Sequence, residues 1–123
     1  KGLKLAQLAP EKWLVREHGS GTRLLMERLF DEADASARVA MEIGSNETIK
    51  QAVMAGLGIA FLSAHTVALE LKSRQLAVLD VKGLPAMRSW FAVRRADKRL
   101  LPATQMLWDY LTTRGKDFLP RTQ

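Results

Sequence analysis

The chain has 123 residues, with 19 basic against 13 acidic side chains for a net charge of +6; 47% is apolar and 26% charged. That is the size and balance of one globular domain that hides roughly two thirds of its extended surface on folding. The absence of cysteine excludes a disulfide framework, a thiolate metal site and a cysteine nucleophile, and His18 and His65 alone make a histidine-built metal centre unexpected, so no metal and no cofactor are assigned.

The first element is an apolar strand, Trp13-Leu14-Val15, running through Arg16-Glu17-His18 into a Gly19-Ser20 turn. Leu25, Met26, Leu29, Phe30 and Ala33 then recur at i, i+1, i+4, i+5 and i+8, one face of a helix. The pattern returns at residues 38–43, where Val39, Met41 and Ile43 lead into Gly44-Ser45. Both strands close with Glu-x-Gly-Ser, and a helical pattern follows each at once. In the second, Ile49, Ala52, Val53 and Gly56 hold the i, i+3, i+4, i+7 spacing, with Gly56 placed to stop the helix.

Residues 58–62 form a short, continuously apolar run that suits a strand buried on both faces. Ala64, Val67, Ala68 and Leu71 predict another helix, residues 76–81 another strand, and Lys82-Gly83-Leu84-Pro85 its turn. Strands alternating with helices of this length predict βαβ units, an α/β fold with a mostly parallel sheet flanked by helices. Residues 88–94, with Trp90, Phe91 and Val93, break the alternation: a strand follows a strand, either antiparallel or crossing out of the sheet, and its aromatics are expected to serve a core.

Pro102 then opens a helix whose Ala103, Met106, Leu107, Tyr110 and Leu111 form an apolar stripe. Burying each large side chain is worth about 1.5–3 kcal/mol, so the stripe is expected to dock on residues outside this chain or on a second copy. The charge is uneven: from Ala86 onward eight basic side chains face three acidic ones, and Arg88, Arg94, Arg95, Lys98 and Arg99 form a cluster. Such a cluster reads as a contact for nucleic acid or an acidic partner, or as a solvated strand end and loop. No apolar run reaches the roughly 20 residues of a membrane helix and no secretion signal opens the chain, so no membrane contact and a cytoplasmic location are expected. Lys1 is not a methionine, and the chain is expected to be part of a longer one.

Two Gly-Ser turns at the carboxyl ends of neighbouring parallel strands, each opening a helix, aim free N–H groups and helix dipoles into one crevice. Gly19 and Gly21 let the backbone approach a ligand closely, and Ser20, Thr22, Ser45 and Asn46 offer hydroxyl and amide groups. The plainer role for Ser20 or Thr22, and for Ser45 or Asn46, is to cap their helices. Enzyme motifs are incomplete. Residues 19–24 and 56–61 lack the third glycine of a dinucleotide fingerprint, no phosphate-loop Gly-Lys-Ser/Thr is present, and Ser20 is outside a nucleophile elbow. His18 near Ser20 admits a base and nucleophile, but no orienting carboxylate can be assigned; Glu17 and Glu42 read as a carboxylate pair or as solvated side chains. No catalytic constellation emerges.

Leu14-Val15-Arg16-Glu17-His18-Gly19-Ser20-Gly21-Thr22-Arg23 resembles the strand and loop that open the second subdomain of the effector-binding region of LysR-type transcriptional regulators. Ile43-Gly44-Ser45-Asn46-Glu47-Thr48-Ile49-Lys50-Gln51-Ala52-Val53, then Ala55-Gly56-Leu57-Gly58-Ile59-Ala60-Phe61-Leu62-Ser63, is similar to the family's next two βα elements. Within the family, the wording around Arg16–Arg23 looks most like the regulators of RuBisCO operons. Ser63 departs from the pattern, standing where a proline is expected.

The resemblance implies a fold like the type 2 periplasmic binding proteins, with residues 12–85 as the second subdomain and 86–123 as a crossover strand and helix returning to a first subdomain outside this chain. It implies a sensor without catalytic activity, taking a small anionic metabolite, a sugar phosphate or a nicotinamide dinucleotide phosphate, against His18, Gly19, Ser20, Gly21, Thr22, Ser45 and Asn46, with Arg23 as an auxiliary charge. It further implies a homo-oligomer, at least a dimer, and DNA binding through an upstream helix-turn-helix domain. Three other readings remain at this point: a transporter's solute-binding protein, a small α/β hydrolase using His18 and Ser20, and direct DNA binding by the basic cluster.

Overall fold

A computed structural model describes residues 2–119. The chain divides into two compact units, Lys1–Pro85 and Ala86–Gln123. The first contains, in order, β1 (Trp13–Val15), α1 (Gly21–Glu32), β2 (Val39–Glu42), α2 (Asn46–Met54), β3 (Ile59–Ala60) and α3 (Ala68–Lys72), with single 3-10 turns at Leu5–Leu8 and Ala64–Thr66. The three strands form one sheet in the order β2-β1-β3, and both pairings are parallel. The α/β class and the parallel sheet flanked by helices are as the alternation predicts.

β1 lies between two neighbours, which is why all three of its side chains are buried and apolar. Alternation along the strand sends Trp13 and Val15 to one face, where they pack with Met26 and Phe30 of α1. The Trp13 and Phe30 rings meet edge to face, 5.2 Å between centroids. The indole N–H, buried with them, donates to the Leu8 carbonyl at 2.8 Å and so is not left unpaired. Leu14 projects to the opposite face, the side on which α2 contributes the fully buried Ile49.

The predicted stops and starts of α1 and α2 follow from local chemistry. Ser20 and Ser45 cap the two helices, their hydroxyl oxygens accepting from the Thr22 and Thr48 N–H groups, each at 3.3 Å. Gly56, at φ +77°, takes the left-handed conformation that ends α2. Gly58 is glycine for a different reason: a Cβ there would overlap the Lys12 carbonyl oxygen and crowd Leu14 Cγ at 3.3 Å, in the place where the Ile59 N–H donates to that carbonyl to pair β3 with β1.

Several expected elements are shorter or absent. The strand over residues 58–62 pairs only at Ile59–Ala60 and is half-buried. The helix marked by Ala64, Val67, Ala68 and Leu71 is split into the Ala64–Thr66 turn and α3, with the Thr66 hydroxyl donating to the Ser63 carbonyl at the break. Residues 76–81 form no strand. They contribute a single bridge between Leu3 and Val81, made by the Leu3 N–H to Asp80 and the Lys82 N–H to Leu3. Val78 and Leu79 are exposed, and apolar content without a partner ladder does not make a strand.

α3 is held to α2 by charge. The Lys50 ammonium, largely covered, lies 2.7 Å from Glu47 and 2.8 Å from Glu70. Hydrogen bonds from Lys50 hold both carboxyls below the ordinary range, helped at Glu47 by Gln51; Glu47 and then Glu70 raise the amine. A carboxyl lowered on folding adds stability above its ordinary pKa of about 4.3, lost as pH falls through the lowered value; the raised amine adds stability below about 10.4, lost as pH rises through the raised value. The cluster therefore stabilises most between about pH 5 and 10. Glu70→Gln is expected to lower the urea midpoint at pH 7 and to flatten its fall between pH 5 and 3, measured as a midpoint series. An unchanged acid limb would contradict this account of the cluster.

The second unit contains α4 (Pro102–Arg114) and a 3-10 turn at Gly115–Phe118. Proline at its first position needs no partner for a missing N–H. Met106, Leu107, Tyr110 and Leu111 are exposed. At residues 88–94, where a return strand is expected, no strand is formed among the described residues, and the unit contains no neighbouring strand to pair with. Trp90, Phe91 and Val93, expected to serve a core, are exposed. In the basic cluster, Arg94 stacks over the Trp108 ring at 5.2 Å, and Arg95 is paired through two N–H groups with Asp97.

Candidate functional site

β1 and β2 run parallel as neighbours, with Val15 paired to Glu42 at their carboxyl ends. The two Gly-Ser turns therefore leave the same edge of the sheet side by side. The first is closed by the Ser20 N–H donating to the Glu17 carbonyl at 3.2 Å, with Gly19 at φ +87°. From there Ser20 starts α1, and Ser45 starts α2 in the same way after β2. Two capped helix N-termini thus come together beyond the carboxyl ends of paired strands, the position where open α/β sheets bind ligands.

Arg16 ties the turns together. Its Nε and Nη2 donate to the two Glu17 oxygens at 2.7 and 2.8 Å, and its Nη1 donates to Asn46 Oδ1 at 2.6 Å. The guanidinium holds the Glu17 carboxyl below the usual range, and the carboxylate raises the arginine in turn. Glu17 reaches across to the second turn, 4.0 Å from where a Cβ on Gly44 would stand.

Arg23, proposed from the sequence as an auxiliary charge, is buried. It bonds to Glu27 and to the Arg16 carbonyl at 3.2 Å, and Glu42 lies 3.9 Å away. His18 is exposed, its Nε2 lying 3.5 Å from Glu42. Ser20 uses its hydroxyl oxygen to cap α1. Among the described residues no hydrogen bond joins His18 to Ser20, the pair that a base and nucleophile would need.

Of the residues singled out in the sequence, Ser20, Gly21 and Thr22 stand at the start of α1 and Ser45 and Asn46 at the start of α2. His18 and Gly19 lie in the approach to the first turn. The Thr22 hydroxyl and the Asn46 amide nitrogen meet no protein partner among the described residues. Arg16 is the residue that sequence reasoning missed. It stands in the motif that carries the family resemblance, but nothing in that motif singles out its side chain, and its partner Asn46 lies 30 positions further on. Among the described residues no group of three or more histidines or carboxylates is placed to hold a metal ion, and no helix is long and apolar enough to cross a membrane.

Residues 1–116 match the family model described as LysR substrate binding domain. The chain is 62% identical over 122 residues to the HTH-type transcriptional regulator CbbR of Xanthobacter flavus, a match covering 98% of this chain and 37% of that protein. It is 48% identical over 103 residues to the RuBisCO operon transcriptional regulator of Allochromatium vinosum, covering 84% of this chain and 34% of that one. The chain thus spans about a third of the length of these relatives. Among solved structures it is similar to the CcmR regulatory domain of Synechocystis PCC6803 in complex with 2-PG, with a TM-score of 0.85 and 39% identity, covering 95% of this chain and 56% of that one.

Proposed function

The chain belongs to the LysR substrate-binding domain family, and from that premise we propose that it is the effector-sensing part of a DNA-binding transcription regulator that controls a RuBisCO operon. The observation that carries the reading is the pair of capped helix N-termini bridged by Arg16, with the Thr22 hydroxyl and the Asn46 amide nitrogen left for a ligand. Such a site favours a small anion. The effector site consists of His18, Gly19, Ser20, Gly21, Thr22, Ser45 and Asn46. Arg23 contributes by bracing α1, since its guanidinium is taken by internal partners.

The similar CcmR domain was solved in complex with 2-PG, and 2-phosphoglycolate, a small anion, is the first effector to test here, ahead of sugar phosphates and nicotinamide dinucleotide phosphates. In this reading residues 12–85 form the second subdomain and residues 86–123 return to a first subdomain. Effector binding between the two biases their closure and the geometry of a homo-oligomer on DNA. The protein acts in the cytoplasm, without catalysis of its own. The relatives' names as regulators support this over a transporter receptor or a hydrolase.

Mobility of the whole regulator on the DNA preceding RuBisCO genes tests the reading. The expected result is a complex whose affinity or footprint changes at least about fivefold when 2-phosphoglycolate is added. No complex, or one indifferent to 2-phosphoglycolate, sugar phosphates and nicotinamide dinucleotide phosphates alike, would overturn it.

A further inference from the structure

We infer that Arg16 is a positioning residue that sets the chemical selectivity of the site, by fixing which end of the Asn46 side-chain amide is offered to the ligand. The inference rests on the effector site proposed above and adds the residue that decides what the site accepts. An asparagine amide has an acceptor end and a donor end of nearly the same shape, and a half-turn about its last bond exchanges them. Left to itself, Asn46 could present either end. Arginine carries N–H donors and no acceptor, so only Oδ1 can face its Nη1, as the 2.6 Å contact shows. That leaves the two N–H groups of Asn46 Nδ2 as the end without a protein partner among the described residues.

Arg16 is itself held against rotation. Glu17 takes its Nε and Nη2 together, a two-point hold that fixes the guanidinium plane, so its remaining edge points to Asn46. The order Glu17, Arg16, Asn46 therefore converts an ambivalent amide into a fixed donor. The positive charge that does so is spent on Glu17 and need not touch the ligand. The site then selects a ligand rich in acceptor oxygens, a carboxylate or phosphate, over one that presents N–H or O–H groups at that point.

Calorimetric titration of 2-phosphoglycolate into the whole regulator, run as a double-mutant cycle on Arg16 and Asn46, tests this. Arg16→Met is expected to weaken binding about tenfold in the wild-type background, the loss of one well-oriented hydrogen bond to an anion, and less than about twofold once Asn46→Ala is present. Arg16→Lys, which still has only donors to set against Oδ1, is expected to restore binding to within about threefold of wild type. Equal losses in the two backgrounds would overturn the inference, because Arg16 would then act on the ligand directly or through the fold as a whole. Should Arg16→Met not fold, Asn46→Asp serves. It keeps the arginine's acceptor while removing the donor, so it should melt no lower than wild type yet bind at least about tenfold more weakly. Wild-type binding retained by Asn46→Asp would overturn the inference. Failure of the wild-type regulator to bind 2-phosphoglycolate, sugar phosphates and nicotinamide dinucleotide phosphates alike would overturn the effector reading and this inference with it, whereas wild-type binding of any of them with additive losses would overturn the inference alone.

Discussion

Thr22→Val combined with Asn46→Ala is expected to weaken 2-phosphoglycolate binding to the whole regulator by about 100-fold or more, with little change in melting temperature. Each substitution removes one donor that the proposed site aims at the anion. A hydrogen bond to a charged group is worth about 1.5–3 kcal/mol, and two of them correspond to a factor of at least about 100. The fold should hardly notice. Thr22 supports the α1 cap through its backbone N–H, which valine keeps, and valine has nearly the same shape. Asn46 receives one N–H from Arg16, and Arg16 keeps both bonds to Glu17 without it. Calorimetric titration beside a thermal melt checks both halves. Affinity within about threefold of wild type would remove Thr22 and Asn46 from the site.

Leu14→Ala is expected to cost about 2–5 kcal/mol of stability, the range for deleting a large side chain from a packed core. Leu14 is 1% exposed on the middle strand of the sheet, on the face that α2 covers with the fully buried Ile49. Both edges of β1 are already paired, so the backbone cannot shift to fill the space without breaking one ladder. Collapse around the cavity is therefore limited. Leu69→Ala, at a position 77% exposed on α3, is the control and should stay within about 0.5 kcal/mol. Denaturation midpoints of the two variants measure the difference. A loss below about 1 kcal/mol for Leu14→Ala would mean that this face is loosely packed, contrary to the structure.

What the sequence discloses is what depends on neighbours along the chain. Trp13-Leu14-Val15 reads as a buried strand because its side chains are apolar on both faces. Ser20 and Ser45 read as helix starts because a hydroxyl two or three residues ahead of an N–H is all that a cap needs. Gly56 reads as a stop because of its own freedom at positive φ. Residues 76–81 and 88–94 form no paired strand here for the opposite reason. Their apolar side chains carry strand propensity, but a strand exists only through a ladder, and whether a neighbour is present is not written locally. The helix over residues 64–71 breaks where the Thr66 hydroxyl takes the Ser63 carbonyl, a competition between side chain and backbone that periodicity does not register.

The candidate site divides in the same way. Its capping and small residues are visible as two matching Gly-Ser turns. Arg16 is hidden, because its reach to Asn46 exists only once β1 and β2 pair in the register that sets Val15 beside Glu42. Arg23 shows the reverse. It stands in the motif and looks available to a ligand, yet its guanidinium is buried against Glu27 and the Arg16 carbonyl. In both arginines the charge is legible from the sequence, while its use depends on tertiary placement.

A crystal structure of the whole effector-binding region with 2-phosphoglycolate bound locates the effector site itself. The anion is expected at the paired starts of α1 and α2, accepting from the Thr22 hydroxyl and the Asn46 amide nitrogen, with Arg16 still on Glu17 and Asn46 Oδ1. An anion bound elsewhere, with those groups untouched, would contradict this placement of the site.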